Sequence, residues 1–444
     1  MNSLQRLFTG SWLPPLLLLA SGIGSAWAVC WPFALGGQQG QPNWYLQILL
    51  LIPLLHGVAA ARTPMRAFAR GLVFATAWLG TTFWWLFISL HTYGGLPAAM
   101  AVAAVLLLAA ALGVFYAMAL ALWWKWGRNT PTRSTPALST PAQSAAAFAA
   151  LWLMAEMARG TWLTGFGWGA MGYAQLAGPL QIWIPLLGAY GVAALAAWCA
   201  ATLALIGRAG WGQRLALVLL LAGGWLLQTP QFTTSTGLMS AVLLQGNIPQ
   251  DEKFNSGSGI PQALGWYAEQ LQQAQADLVL APETAIPLLP DELPPGYLQT
   301  LQAHTNHSAL MVGIPLGNAD QGYTNSVIAL QANSQQAWRY DKHHLVPFGE
   351  FIPPLFKWFT RMMNIPLGDF NRGAIGQASF AWKGQRIAPN ICYEDLFGEE
   401  LAARFVDADL APTIFANVSN LGWFGNSIAI DQHLQISRMR ALEF

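Results

Sequence analysis

The first part of the chain is a succession of long apolar stretches separated by short polar ones: Leu13–Trp31, Trp44–Ala61, Gly71–Leu90, Pro97–Trp123, Ala145–Gly160, Leu180–Ile206 and Leu215–Leu227. A helix needs roughly 20 mostly apolar residues to cross the hydrocarbon of a bilayer. The pattern therefore predicts about seven membrane-spanning helices. The fifth is the weakest, being short and carrying Glu156; Arg159, three residues on, is expected to pair with it on one helix face. The seventh is also short, with Trp211 and Trp225 placed to act as interface anchors. Asn129–Ser144, rich in Thr, Pro, Ser and Ala, reads as a loop between spans. The first apolar run leads into Cys30-Trp31-Pro32 rather than a small-residue cleavage site, so it is not read as a cleaved signal peptide.

After Thr229 the pattern changes to short apolar runs alternating with helical periodicity. Strands are predicted at Ser240–Gln245, Leu278–Ala281, Leu310–Ile314, Ser326–Leu330, Arg386–Ile391 and Thr413–Val418, and helices at Pro261–Ala276, Glu399–Phe405 and Ile430–Leu442. Near-continuous apolar strands such as Leu278-Val279-Leu280 imply a sheet covered on both faces. Strands and helices in alternation imply an α/β or layered α+β domain. The expected division is a helical membrane bundle over 1–228 and a second domain over 229–444.

Composition agrees with this division. The 444 residues are 54% hydrophobic and only 9% charged, against about 25% charged in soluble domains. Disorder, a collagen-like fibre and a basic nucleic-acid footprint are excluded. The net charge of +1 hides an asymmetry: ten basic residues face one acid up to Gln228, whereas 11 face 19 beyond it. Nine of those first ten (Arg6, Arg62, Arg66, Arg70, Lys125, Arg128, Arg133, Arg208 and Arg214) fall in alternate loops, and Arg159 is the exception. Basic loops stay cytoplasmic, so seven spans put the acidic part outside the cytoplasm.

Three cysteines give no disulfide framework. Cys30 and Cys199 lie inside predicted spans and read as small buried apolar residues. Cys392 stands alone in the outer part, just after a predicted strand, where a strand-to-helix turn exposes a side chain to backbone N–H groups. A nucleophile and a buried structural thiol are both open at this stage. Glu283 ends the run Asp277-Leu-Val-Leu-Ala-Pro; burial there would raise its pKa towards base duty, although a helix N-cap beside Thr284 reads equally well. Lys342 has no periodic context and taken alone reads as solvated. His343 and His344 lack further ligands at metal spacing, so no metal site is expected and the pair reads as solvated loop residues.

Taken together and in order, Pro282-Glu283, Lys342 before Leu-Val-Pro-Phe-Gly-Glu350, and Cys392-Tyr393-Glu394 resemble the Glu-Lys-Cys triad of the nitrilase superfamily. The surrounding wording resembles one branch, the bacterial apolipoprotein N-acyltransferases. It includes Gln245-Gly-Asn-Ile-Pro-Gln250, Pro282–Pro287, Asn371-Arg-Gly373, Asn417–Ser427 and Gln432–Glu443, with Arg159-Gly160 and Leu163–Phe166 in the first part. The resemblance implies a nitrilase-like αββα sandwich on a polytopic bundle, multi-pass in the bacterial inner membrane with the catalytic domain facing the periplasm. It further implies transfer of a fatty acyl chain from a phospholipid to the α-amino group of a diacylated apolipoprotein through a Cys thioester. No cofactor, metal or nucleic acid is implied.

Carried over, Glu283 is the general base, Lys342 the oxyanion partner and Cys392 the nucleophile. Glu350, Tyr393 and Glu394 are supporting residues, and Phe254 and Trp423 are candidates for substrate contact. The chain departs from the family at Ala281 and Phe254, where relatives often carry Trp at or near the position. It also stops at Leu442-Glu443-Phe444, before further strands and a final membrane helix, so the domain is expected to be incomplete. A membrane-tethered amidase of the same triad, or an inactive lipid- or lipoprotein-binding remnant, are the competing readings.

Overall fold

The structure, a computed structural model, describes residues 13–128, 140–305, 307–332, 334, 337–353 and 370–444. Arg6, Arg133 and most of the loop expected over 129–144 lie outside the described residues. The chain forms two compact units, Met1–Thr234 with Asn426–Phe444, and Ser235–Gly425.

In the first unit, helices α1 (Leu13–Val29), α2 (Trp44–Ala59), α3 (Pro64–Thr82), α4 (Ala98–Leu122), α5 (Pro141–Thr161), α6 (Ile184–Ala204) and α7 (Trp211–Leu226) occupy the apolar stretches. Among the described residues two helices are long and apolar enough to cross a membrane. They are α4 continued to Gly127, 30 residues, and α6 taken from Pro179, 26 residues. A third qualifies if α3 and Leu86–Tyr93, bent by 65°, count as one span. Helices α1, α2 and α7 are apolar but shorter. Length and hydropathy thus identify fewer spans than the loop charges do.

Packing in this unit uses small residues. Ala101, Val105, Ala109, Gly113 and Ala117 recur every four residues on α4 and are all buried, which lets helix backbones approach closely. A Cβ on Gly71 of α3 would stand only 3.1 Å from the Ala117 Cα. Leu107 and Leu219, by contrast, remain exposed.

The second unit contains two sheets. The first has the order β1 (Ala241–Leu243), β2 (Leu278–Leu280), β3 (Ala309–Asn318), β4 (Gly322–Leu330), β5 (Trp338–Asp341), parallel from β1 to β3 and antiparallel from β3 to β5. The second pairs β6 (Phe380–Trp382) antiparallel with β7 (Gln385–Ile391), and β7 parallel with β8 (Ile414–Val418). Strand β3 is buried on both faces, and the two-residue period sorts its side chains. Leu310, Val312 and Ile314 pack with Ala263, Tyr267 and Leu271 of α8 (Gly259–Gln273) and Leu301 of α9 (Tyr297–Ala303). Ala309 and Met311 pack with Phe380, Ile387, Ile391 and Val418 of the second sheet. The described layers are therefore helix, sheet, sheet. The short helical segment expected at Glu399–Phe405, seen as Gly398–Ala402 continued to Phe405, meets the second sheet through Phe405 on Phe415 and Arg404 on Pro389 O. The helix expected after β8, Ala429–Glu443, groups with the helical unit instead.

Its polar side chains account for that. Gln432 Oε1 accepts from Trp85 Nε1 at 2.9 Å and from Trp168 Nε1 at 2.8 Å, while its Nε2 donates to Thr82 O at 2.9 Å. Trp168 is held in turn by the expected Glu156–Arg159 pair, which is fully buried at 3.2 Å. Arg159 donates to Tyr116 Oη, Phe166 O and Trp168 O at 2.7–2.8 Å, and Glu156 Oε1 accepts from Met171 N at 3.1 Å. Removing one member of a buried pair strands the other charge. Arg159→Leu is therefore expected to destabilise this unit by roughly 3–5 kcal/mol, read as a lower Tm of the detergent-solubilised chain. An unchanged Tm would show that the pair carries no such weight.

Candidate active site

Three strands deliver the triad residues. Glu283 follows β2 after Ala281-Pro282, Lys342 follows β5 directly, and Cys392 follows β7 directly. Glu283 and Lys342 come from one sheet and Cys392 from the other. Gly313 of β3 permits the close approach of the Glu283 segment. Ala281 N donates to Met311 O at 2.8 Å and Ile286 N to Gly313 O at 3.1 Å. A Cβ on Gly313 would lie 2.4 Å from Pro282 O and 2.7 Å from the Glu283 Cα. Gly373, from the Asn-Arg-Gly motif, donates its N–H to Lys342 O at 2.9 Å.

The Lys342 side chain is 1% exposed, and its Nζ donates to Glu283 Oε1 at 3.2 Å and Glu350 Oε1 at 2.9 Å. It is not the solvated lysine that its local sequence implies. Asn325 of β4 bridges the same two carboxylates, its Nδ2 donating at 2.7 Å to Glu283 and 2.6 Å to Glu350. Asn420 N donates to Glu283 Oε2 at 2.9 Å, and Val346 N to Glu350 Oε2 at 2.8 Å. No helix starts at Glu283, so its carboxylate is not an N-cap and is instead bound by Lys342, Asn325 and Asn420.

Charge follows from this geometry. Burial opposes the Lys342 cation, but Glu283 and Glu350 outweigh it and hold the ammonium charged well above its ordinary range. Burial likewise pushes the Glu283 carboxyl up, yet Lys342, Asn325 and the Asn420 N–H together bring it below the ordinary carboxylate value. The expectation of a raised Glu283 is thereby corrected: it considered burial without the cation. Burial pushes the Cys392 thiol up, and Glu283 and Glu350 reinforce this against the opposing Lys342. The resting site thus contains a neutral thiol, an ionised Glu283 and a lysine cation.

Cys392 opens a tight turn, Cys392–Leu396, with φ at +53°, a left-handed conformation that costs a non-glycine residue roughly 1–2 kcal/mol. Its carbonyl accepts from Asn417 Nδ2 at 3.1 Å. Glu394 fixes the turn: it accepts from Ile391 N at 2.7 Å, from His343 N at 2.6 Å, from His344 N at 3.2 Å and from Tyr340 Oη at 2.9 Å. One carboxylate therefore ties the Lys342 segment to the Cys392 turn. Tyr393 is buried beside His344 and Phe397. His344 is also buried, stacked 3.4 Å from Phe397 and paired with Glu400 at 2.8 Å, so the reading of a solvated His pair fails for it. Phe254 and Trp423 are 51% and 38% exposed, open enough to meet a ligand. Asn325 and Gly313 were missed by sequence reasoning, because an isolated Asn or Gly on a strand carries no periodic signal; Asn420 lay within the stretch Asn417–Ser427 but was given no role. Among the described residues no group of three His, Cys, Asp or Glu could hold a metal.

Comparison with known proteins bears on the whole chain. Residues 33–202 match the family model of the apolipoprotein N-acyltransferase N-terminal domain, and residues 242–444 match the carbon-nitrogen hydrolase model. The apolipoprotein N-acyltransferase of Verminephrobacter eiseniae is 51% identical over 98% of this chain and 82% of its own length. The chain belongs to the apolipoprotein N-acyltransferase family. That of Ralstonia nicotianae is 46% identical over 90% of this chain and 77% of its own. The carbon-nitrogen hydrolase of Helicobacter pylori G27 aligns over 41% of this chain and 59% of its own, at 16% identity and a TM-score of 0.25, which adds nothing to the assignment.

The lowered Glu283 pKa has a consequence for stability. A carboxyl depressed on folding stabilises the protein above its unfolded value, about 4.3, and that contribution is lost as pH falls through the lower folded value. Tm should therefore drop on acidification from pH 6 to below 4, and Glu283→Gln should blunt the drop. An identical acid profile in the variant would contradict the depression.

Proposed function

We propose that this chain transfers a fatty acyl group from a phospholipid to the α-amino group of an apolipoprotein's N-terminal diacylglyceryl-cysteine, through a thioester on Cys392. The observation that carries the reading is the buried Lys342 cation held between Glu283 and Glu350, with all three charges acting on Cys392. Membership of the family supports the same reaction.

In the first half-reaction the Cys392 sulfur attacks the donor's ester carbonyl while Glu283 takes the thiol proton. The carbonyl oxygen gains the negative charge, and Lys342 stabilises it in a site where little water screens the pair. Collapse expels the glycerol oxygen, which Glu283 reprotonates, and a lysophospholipid leaves. In the second half the acceptor amine attacks the thioester, Glu283 takes a proton from it, and Cys392 departs and recovers that proton. Splitting the transfer into two steps means the two bulky lipids need not bind together. Glu350 and Asn325 keep Lys342 charged and aimed, and Glu394 and Tyr393 hold the nucleophile's turn.

The reading has seven spans in the bacterial inner membrane, with the acidic part periplasmic. The alternation of basic loops supports it, as do the exposed leucines on α4 and α7, which suit a lipid solvent. Phe254 and Trp423 border the acyl or head-group path.

Incubation with a labelled phospholipid should leave label on Cys392 in the native chain and none in Cys392→Ala. Lys342→Arg should lower turnover to a diacylated lipopeptide by roughly 10²–10³-fold, because a planar guanidinium does not reproduce a compact ammonium. Covalent label on the Cys392→Ala chain, or near-normal turnover in Lys342→Arg, would remove these residues from their roles. Hydrolysis of small amides without lipopeptide acylation would replace the function itself.

A further inference from the structure

Two buried donors beside Glu283 have unused hydrogen-bonding capacity. Gln250 and Lys253 lie three residues apart in the turn after β1, where Lys253 N donates to Pro249 O at 2.9 Å. Both side chains are buried. Lys253 Nζ donates to the main-chain oxygen of Glu283 at 3.2 Å. An ammonium carries three N–H donors, and Lys253 Nζ has no further partner among the described residues. Gln250 Oε1 accepts from Asn420 Nδ2 at 3.0 Å, which commits the amide's orientation. Its Nε2 is then buried without a partner among the described residues. Asn420 N donates to Glu283 Oε2, so the turn meets the proposed base directly at its main chain through Lys253, and its carboxylate only by way of Asn420.

Buried donors left unmet are unfavourable and rare. Here one is an orphaned amide N–H and the other an under-satisfied cation, and each is a donor of the kind an anionic oxygen satisfies. Burial lowers Lys253 to about 8, and Glu283 restores it only in part, so the cation is short of counter-charge. Glu283 does not supply it, because its carboxylate is already engaged by Lys342, Asn325 and Asn420.

We infer that Lys253 and Gln250 seat a phosphodiester oxygen of the acyl donor, and so select a phosphorylated lipid for thioester formation. This rests on the acyl-transfer reading above. Of the two substrates in that reading, only the donor brings an anionic oxygen within a few bonds of its scissile ester. The diacylglyceryl-cysteine acceptor offers neutral ester and amide oxygens around its amine. The pair therefore acts on the first half-reaction.

The test compares acylation of the full chain in detergent by phosphatidylglycerol and by p-nitrophenyl palmitate, an acyl ester without phosphate, and reads the ratio of the two rates. Lys253→Met should lower that ratio roughly 10- to 100-fold, the range for losing a charge-assisted hydrogen bond. Lys253→Arg should recover most of it, and Gln250→Met should lower it by a smaller factor, about 3- to 10-fold. Equal loss of both rates in Lys253→Met, with the ratio unchanged, would mean the lysine only props the Glu283 main chain, and would overturn the proposal. If Lys253→Met does not fold, the ratio in Gln250→Met decides, and an unchanged value overturns it equally. A native chain acylated by the phosphate-free ester but never by the phospholipid would instead overturn the donor reading, and the phosphate seat with it.

Discussion

The second unit depends on one electrostatic constraint, a lysine cation taken almost wholly out of water. An ammonium buried in this way costs several kcal/mol unless opposite charges and hydrogen bonds surround it. Glu283 and Glu350 supply the charge, and Asn325 locks the two carboxylates together. Glu283 comes from the end of β2, Asn325 from within β4 and Lys342 from the end of β5, so the register of the first sheet is also the geometry of the site. Gly313 and Gly373 are glycines for the same reason, since any larger residue would push the segments that carry these groups apart.

The charge count explains how such a site can run acyl transfer. At rest Glu283, Lys342 and Cys392 contribute one carboxylate, one ammonium and a neutral thiol, which sum to zero. In the proposed tetrahedral state the new oxyanion replaces the charge that Glu283 loses on taking the proton, and the total is unchanged. Negative charge moves only from the carboxylate side of Lys342 towards the carbonyl oxygen. A preorganised cation that serves both states needs little rearrangement as the reaction proceeds. Glu394, with three backbone N–H groups and the Tyr340 hydroxyl on its two oxygens, ties the Lys342 segment to the turn of the proposed nucleophile.

The apolar stretches of the first part each correspond to a helix, because long apolar runs have few other solutions. Span number is less legible: α1, α2 and α7 are short, and hydropathy and loop charge weigh them differently. In the second part the apolar strands stood out, whereas β5 and β6 did not. Trp338–Asp341 contains Arg and Asp within four residues, and Phe380–Trp382 is three residues long, so neither shows a period. The triad was legible only as a set of three motifs. Lys342 taken alone had nothing to distinguish it from a surface lysine, since its burial is created by partners 59 and eight residues away. The sign of the Glu283 shift was misjudged for the same reason, as burial can be inferred from a strand end but a distant counter-ion cannot.

The left-handed backbone at Cys392 sets a stability–activity trade-off at a single residue. Glycine adopts that conformation without steric penalty, so the backbone would be more relaxed without the side chain that the proposed reaction requires. Selection for robustness alone would therefore discard the thiol. The strained turn is retained only while the reaction at Cys392 matters, and in a lineage where it ceased to matter this position should be among the earliest to drift to glycine.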